Sequence, residues 1–62
     1  MTYKLKELRL KKGLTQDELS RESGVNRTTI IQLENGENVN VTIKTLKQLA
    51  KCLGVDIKEI VD

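Results

Sequence analysis

The stretch Leu14-Thr15-Gln16-Asp17-Glu18-Leu19-Ser20-Arg21-Glu22-Ser23-Gly24-Val25-Asn26-Arg27-Thr28-Thr29-Ile30-Ile31-Gln32-Leu33-Glu34-Asn35-Gly36 decides the fold. It holds two short segments with inward positions at helical spacing, Leu19 with Ser23 and Ile30 with Leu33. Ser23-Gly24-Val25-Asn26 separates them. Each segment opens on a polar residue, Thr15 and then Asn26, whose side-chain oxygen can accept an unpaired N–H of the first helical turn. Each closes on a glycine, which enters the left-handed conformation without a Cβ penalty. Two helices joined by a three- to four-residue turn containing Gly make a helix-turn-helix. Alone, that pattern is weak, because any small helical bundle needs short turns.

Outward from this stretch the same punctuation recurs. An apolar residue, a cap residue and a second apolar residue stand at one spacing in Leu14-Thr15…Leu19, Val25-Asn26…Ile30, Val41-Thr42…Leu46 and Val55-Asp56…Ile60. Each reads as an N-cap flanked by a hydrophobic staple, and Thr15…Glu18 and Asp56…Glu59 add the Glu of a capping box. Gly13, Gly24, Gly36 and Gly54 supply stops, and proline is absent. The signals predict helices at about 3–12, 16–23, 27–34, 43–53 and 57–61. The 37–41 stretch reads as the one loop; its Val-x-Val alternation could form a strand, but a single strand would have no partner. Leu5, Leu8, Leu46, Leu49, Ala50, Leu53, Ile57, Ile60 and Val61 complete the inward faces.

Composition bounds the rest. A chain of 62 residues with 37% hydrophobic content builds one small core, and at this length about 60% of the unfolded surface is buried. We expect a single all-α domain over residues 1–62, with five helices and no room for a deep cleft or a ligand-sensing domain. Regulation would then come from concentration, dimerisation or a partner, with no small-molecule ligand. Tyr3 is the only aromatic residue, which argues against base-stacking single-strand or RNA platforms. Cys52 is alone and histidine is absent, so no internal disulfide, Cys/His metal site or His-activated nucleophile is available. No enzyme activity, metal or other cofactor is expected. The longest apolar run is two residues, as in Ile30-Ile31, so neither a secretory h-region nor a membrane span is present. With its lone thiol, the protein is expected in the cytoplasm.

Net charge is +2, but it is unevenly spread. Residues 1–31 carry seven bases against four acids, net +3, and residues 32–62 carry four bases against five acids, net −1. The positive half contains helix two and the first part of helix three.

On the third helix, Ile30 and Leu33 face the core and leave Arg27, Thr28, Ile31 and Gln32 on the opposite side. Arg can donate twice to guanine O6 and N7, Gln can pair with adenine, and a Thr methyl or an Ile can meet a thymine methyl. Arg, Thr and Gln are equally ordinary on a solvated face. Ile31 is not, and thymine, a partner subunit or a tilt toward the core could cover it.

The segments Leu14-Thr15-Gln16-Asp17-Glu18-Leu19, Ser23-Gly24-Val25-Asn26-Arg27-Thr28-Thr29-Ile30 and Gln32-Leu33-Glu34-Asn35-Gly36 resemble the XRE-like helix-turn-helix regulators, the group of lambdoid phage repressors and Cro. The tail Thr42-Ile43-Lys44-Thr45-Leu46…Leu49-Ala50…Leu53-Gly54-Val55 is similar to that family's fourth helix and the entry to its fifth. The resemblance implies a lambda-repressor-like domain whose third helix lies in the major groove of double-stranded DNA, with Arg27, Thr28 and Gln32 reading bases. It implies a phosphate contact at Gln16, beside the Thr15 cap, where helix N–H groups and the dipole favour an anion. It implies another at Asn35 and the peptide N–H groups around Gly36, and a structural ion pair between Arg9 and Glu34. A homodimer formed near residues 55–61 would let two copies occupy a two-fold operator, most simply as a repressor.

Two departures stand out. Many relatives carry Lys or Arg after the Asn-Gly pair, often followed by Pro, whereas Glu37 here would face phosphate, leaving Asn38 and Asn40 as neutral substitutes. Leu10 is apolar where the family is usually polar. The alternative to DNA binding is a protein-interaction module, antitoxin-like or an adaptor, that uses the same outward face; a membrane-surface role for basic helix one is poorer still, because Leu5, Leu8 and Leu10 make too small an apolar face.

Overall fold

The computed structural model describes residues 3–37 and 41–61. The expected loop residues Asn38 and Asn40, and Val39 between them, lie outside the described residues. Five helices follow in order: α1 (Leu5–Lys11), α2 (Gln16–Ser23), α3 (Arg27–Glu34), α4 (Ile43–Leu53) and α5 (Ile57–Ile60).

Each start from α2 to α4 is capped as its sequence dictates. Thr15 Oγ1 accepts from the Glu18 N–H at 3.1 Å while the Glu18 carboxylate accepts from the Thr15 N–H at 2.8 Å, closing a reciprocal box. Asn26 Oδ1 accepts from the Thr28 N–H at 2.7 Å, and Thr42 Oγ1 from the Thr45 N–H at 3.1 Å. Before α5, the Glu59 carboxylate reaches back to the Asp56 N–H at 2.9 Å. All four glycines hold φ between 71° and 75°.

The ends are not identical. After α1, Gly13 N–H donates to the Leu10 carbonyl and Leu14 N–H to the Arg9 carbonyl, the paired bonds of a Schellman motif. The α2 end keeps only the Gly24 N–H to Ser20 carbonyl bond at 2.9 Å, and Val25 N–H turns to Ser23 Oγ at 3.2 Å. Ser23 in turn donates to the Leu19 carbonyl and Ser20 to the Val25 carbonyl, both at 2.6 Å. Two serine hydroxyls thus fix the turn from which α3 departs.

The first helix begins later than its spacing implies. Tyr3 and Lys4 are not helical: Tyr3 forms an antiparallel bridge with Val61, and Lys4 N–H donates to the Ile60 carbonyl at 2.7 Å. The backbone of Tyr3 and Lys4 is satisfied across the chain ends instead of by a further helical turn. Val61 likewise leaves α5 for extended geometry.

The core comprises Leu5, Leu19, Val25, Ile30, Leu33, Leu46, Leu49, Ala50, Leu53 and Ile60. Leu8, Ile57 and Val61 pack against it partly buried. α2 packs on α3 and α4, α1 on α3, and α4 on α5. α3 is therefore held from two sides while its remaining face stays outward. No helix among the described residues is long and apolar enough to cross a membrane.

Candidate nucleic-acid interface

Burial of Ile30 and Leu33 orients α3, because residues three apart share one helical face. Arg27 and Thr28 are exposed at its N-terminal end, and Gln32 is half-buried one turn further on. Ile31 is likewise half-buried, so part of its surface is covered within the chain itself, as a tilt of the helix toward the core would do. Among the described residues, the exposed large apolar ones are Leu10, as its departure from the family implies, and Ile43 at the first position of α4, which sequence reasoning did not single out.

Behind this face lies a polar network. Arg9, 7% exposed, sends Nε to Glu34 Oε2 at 2.7 Å and Nη2 to Glu34 Oε1 at 3.1 Å, a two-point contact. Its Nη1 donates to the Leu14 carbonyl at 2.7 Å. The Glu34 side chain is 2% exposed, so the pair is desolvated and its geometry matters. Gln16 joins it, its Nε2 donating to Glu34 Oε1 at 3.1 Å. The first residue of α2 and the last residue of α3 are thereby tied, with α1 supplying the cation.

The N-terminus of α2 keeps the N–H groups of Gln16 and Asp17, which have no helical carbonyl to bond. The exposed Thr15 hydroxyl sits beside them as cap acceptor. The end of α3 is different. The Asn35, Gly36 and Glu37 N–H groups donate to the Ile31, Leu33 and Gln32 carbonyls at 2.9, 3.2 and 3.0 Å. These peptide donors, expected to meet phosphate, are committed to closing their own helix, which leaves the exposed Asn35 side chain for that approach. Gly36 serves the closure through its left-handed φ of 73°.

Sequence reasoning missed one partner at the interface. Asp17 Oδ1 lies 3.2 Å from Arg27 Nε, with the two side chains 65% and 56% exposed. The residues stand ten apart in different helices, so no short-range spacing signals the pair.

A family model described as Helix-turn-helix matches residues 5–60. The chain belongs to the XRE-like helix-turn-helix family of transcriptional regulators. It is 44% identical over 54 residues to y4dJ of Sinorhizobium fredii, an uncharacterized HTH-type transcriptional regulator, covering 87% of this chain and 69% of that one. Among solved structures it is similar to the restriction-modification controller protein C.AhdI from Aeromonas hydrophila, with TM-score 0.81, 36% identity and coverage of 90% of this chain and 83% of that one. SinR, the master regulator for biofilm formation, solved in complex with DNA, gives TM-score 0.87 at 25% identity, covering 95% of this chain and 94% of that one.

Proposed function

We propose that the protein is a sequence-specific double-stranded DNA-binding regulator, most simply a repressor, whose α3 enters the major groove. The observation that carries this reading is the Gln16–Glu34 hydrogen bond. It fixes the anion-favouring start of α2 relative to the exposed Arg27-Thr28 face, so one docking pose serves phosphate and bases together. Phosphate contacts set register and base contacts set specificity. Gln16 keeps a second amide hydrogen for phosphate, with Thr15 beside it and Asn35 at the far end of α3. Arg27, Thr28 and Gln32 read base edges, and the uncovered part of Ile31 meets a thymine methyl.

The protein's longest extent is 24 Å, shorter than the about 34–36 Å between half-sites one helical turn apart. One copy therefore reads one half-site, and a homodimer on a two-fold operator supplies the rest. The family's dimer contact falls around residues 55–61, which include the half-buried Val55, Ile57 and Val61.

A filter-binding salt titration on duplex DNA tests the reading. Log affinity should fall linearly with log salt, with slope about −0.9 per phosphate neutralised. Absence of duplex binding at low salt would instead favour the protein-interaction module. Sedimentation showing monomers both free and on DNA would remove the homodimer.

A further inference from the structure

We infer that Asp17 is a specificity-determining residue that holds Arg27 for guanine; the inference rests on the reading of α3 as the base-contacting helix. A guanidinium presents five N–H donors in one plane, one on Nε and two on each Nη. Asp17 Oδ1 lies 3.2 Å from Arg27 Nε as an ion-pair partner. The two Nη groups remain as a parallel pair of donors, and such a pair matches guanine O6 and N7. The carboxylate thus stands on the Nε side of the guanidinium, the side that the base does not need.

The pair is too exposed to matter much for stability, since ion pairs in high dielectric contribute little. Its position is also unfavourable for bulk affinity. Asp17 is the second residue of α2, at the helix end proposed to meet phosphate, where an added negative charge opposes binding to any sequence. A carboxylate that stabilises little and repels the DNA backbone has its effect on what Arg27 can do. Tethering restricts the long Arg side chain to fewer rotamers, so it is less free to swing to a phosphate, which every sequence offers. Discrimination gains and non-specific affinity falls.

Asp17 also favours the positive end of the α2 dipole, a role that would leave base preference untouched. The full-length wild type, Asp17→Ala and Arg27→Ala are therefore compared on a consensus duplex selected from a random pool. The same three proteins are measured on that duplex with the Arg27-dependent guanine replaced by each other base, and on a scrambled duplex. In Asp17→Ala the guanine preference should fall about two- to fivefold, the range an exposed ion pair can impose, while affinity for the scrambled duplex rises. An unchanged preference in Asp17→Ala, beside a lost one in Arg27→Ala, overturns the tether and leaves readout by Arg27 standing. If Arg27→Ala keeps the wild-type preference, readout by Arg27 is overturned and the tether with it.

Discussion

Gln16, the first residue of α2, and Arg9, buried in α1, donate to the same oxygen of Glu34, Gln16 Nε2 and Arg9 Nη2 each standing 3.1 Å from Glu34 Oε1. One carboxylate at the end of α3 thus joins three helices. Its partners are unequal: the arginine neutralises a buried charge, and the glutamine ties the end of α3 to the N-terminus of α2, where phosphate is proposed to bind.

Removal of the cation should be severe. Arg9→Ala leaves Glu34, whose side chain is 2% exposed, as an uncompensated buried charge, at a cost of about 3–5 kcal/mol. Small domains have total stabilities near the lower end of about 5–15 kcal/mol. Urea denaturation followed by circular dichroism should show Arg9→Ala largely unfolded before its DNA binding becomes measurable. A midpoint close to wild type would mean that the pair is not structural.

Gln16→Ala should separate affinity from specificity. On the proposed pose, loss of its amide removes a phosphate contact that every sequence offers, so operator and scrambled duplexes should weaken by the same factor in filter binding. A loss confined to the operator would instead place Gln16 among the base-reading residues.

The turn before α3 should be strained by any side chain at Gly24. The position has space for a Cβ, but its φ is 75°, and a non-glycine residue there is strained by about 1–2 kcal/mol. Gly24→Ala should lower the melting temperature accordingly, whereas Glu22→Ala, on the exposed side of α2, should leave it nearly unchanged.

Acid should open the α2 capping box. Hydrogen bonds from the Thr15 backbone, then from its side chain, hold the Glu18 carboxyl below its ordinary value of 4.5. A carboxylate with a lowered folded-state pKa contributes stability that is present above 4.5 and is lost as pH falls through the lower folded value. The difference in melting temperature between wild type and Glu18→Ala should therefore be constant near neutrality and shrink below pH 4.5. A difference that widened in acid would contradict the sign.

Local physics explains which features were legible in the sequence. The bounds of α2, α3 and α4 follow from Thr15, Asn26 and Thr42 as caps and Gly24, Gly36 and Gly54 as stops, because capping and left-handed closure are settled within a few residues. Arg9 and Glu34 entered through family resemblance, since nothing in spacing joins residues 25 apart. The start of α1 was not legible: Tyr3 and Lys4 bond to Val61 and Ile60 at the other end of the chain. Asp17 was hidden for the same reason, as an ordinary first-turn acid until packing brings Arg27 beside it. How far Ile31 turns outward was not legible, because a 3.6-residue period marks the core face sharply and the flanks of the helix poorly.

The most direct test of base reading by α3 is selection from a random duplex pool with wild type and Arg27→Ala side by side. The wild type should return a two-fold consensus, and Arg27→Ala should lose its guanine at one position of each half-site, at a cost of about 1–3 kcal/mol on the wild-type site. The same consensus from both proteins would contradict direct readout by Arg27.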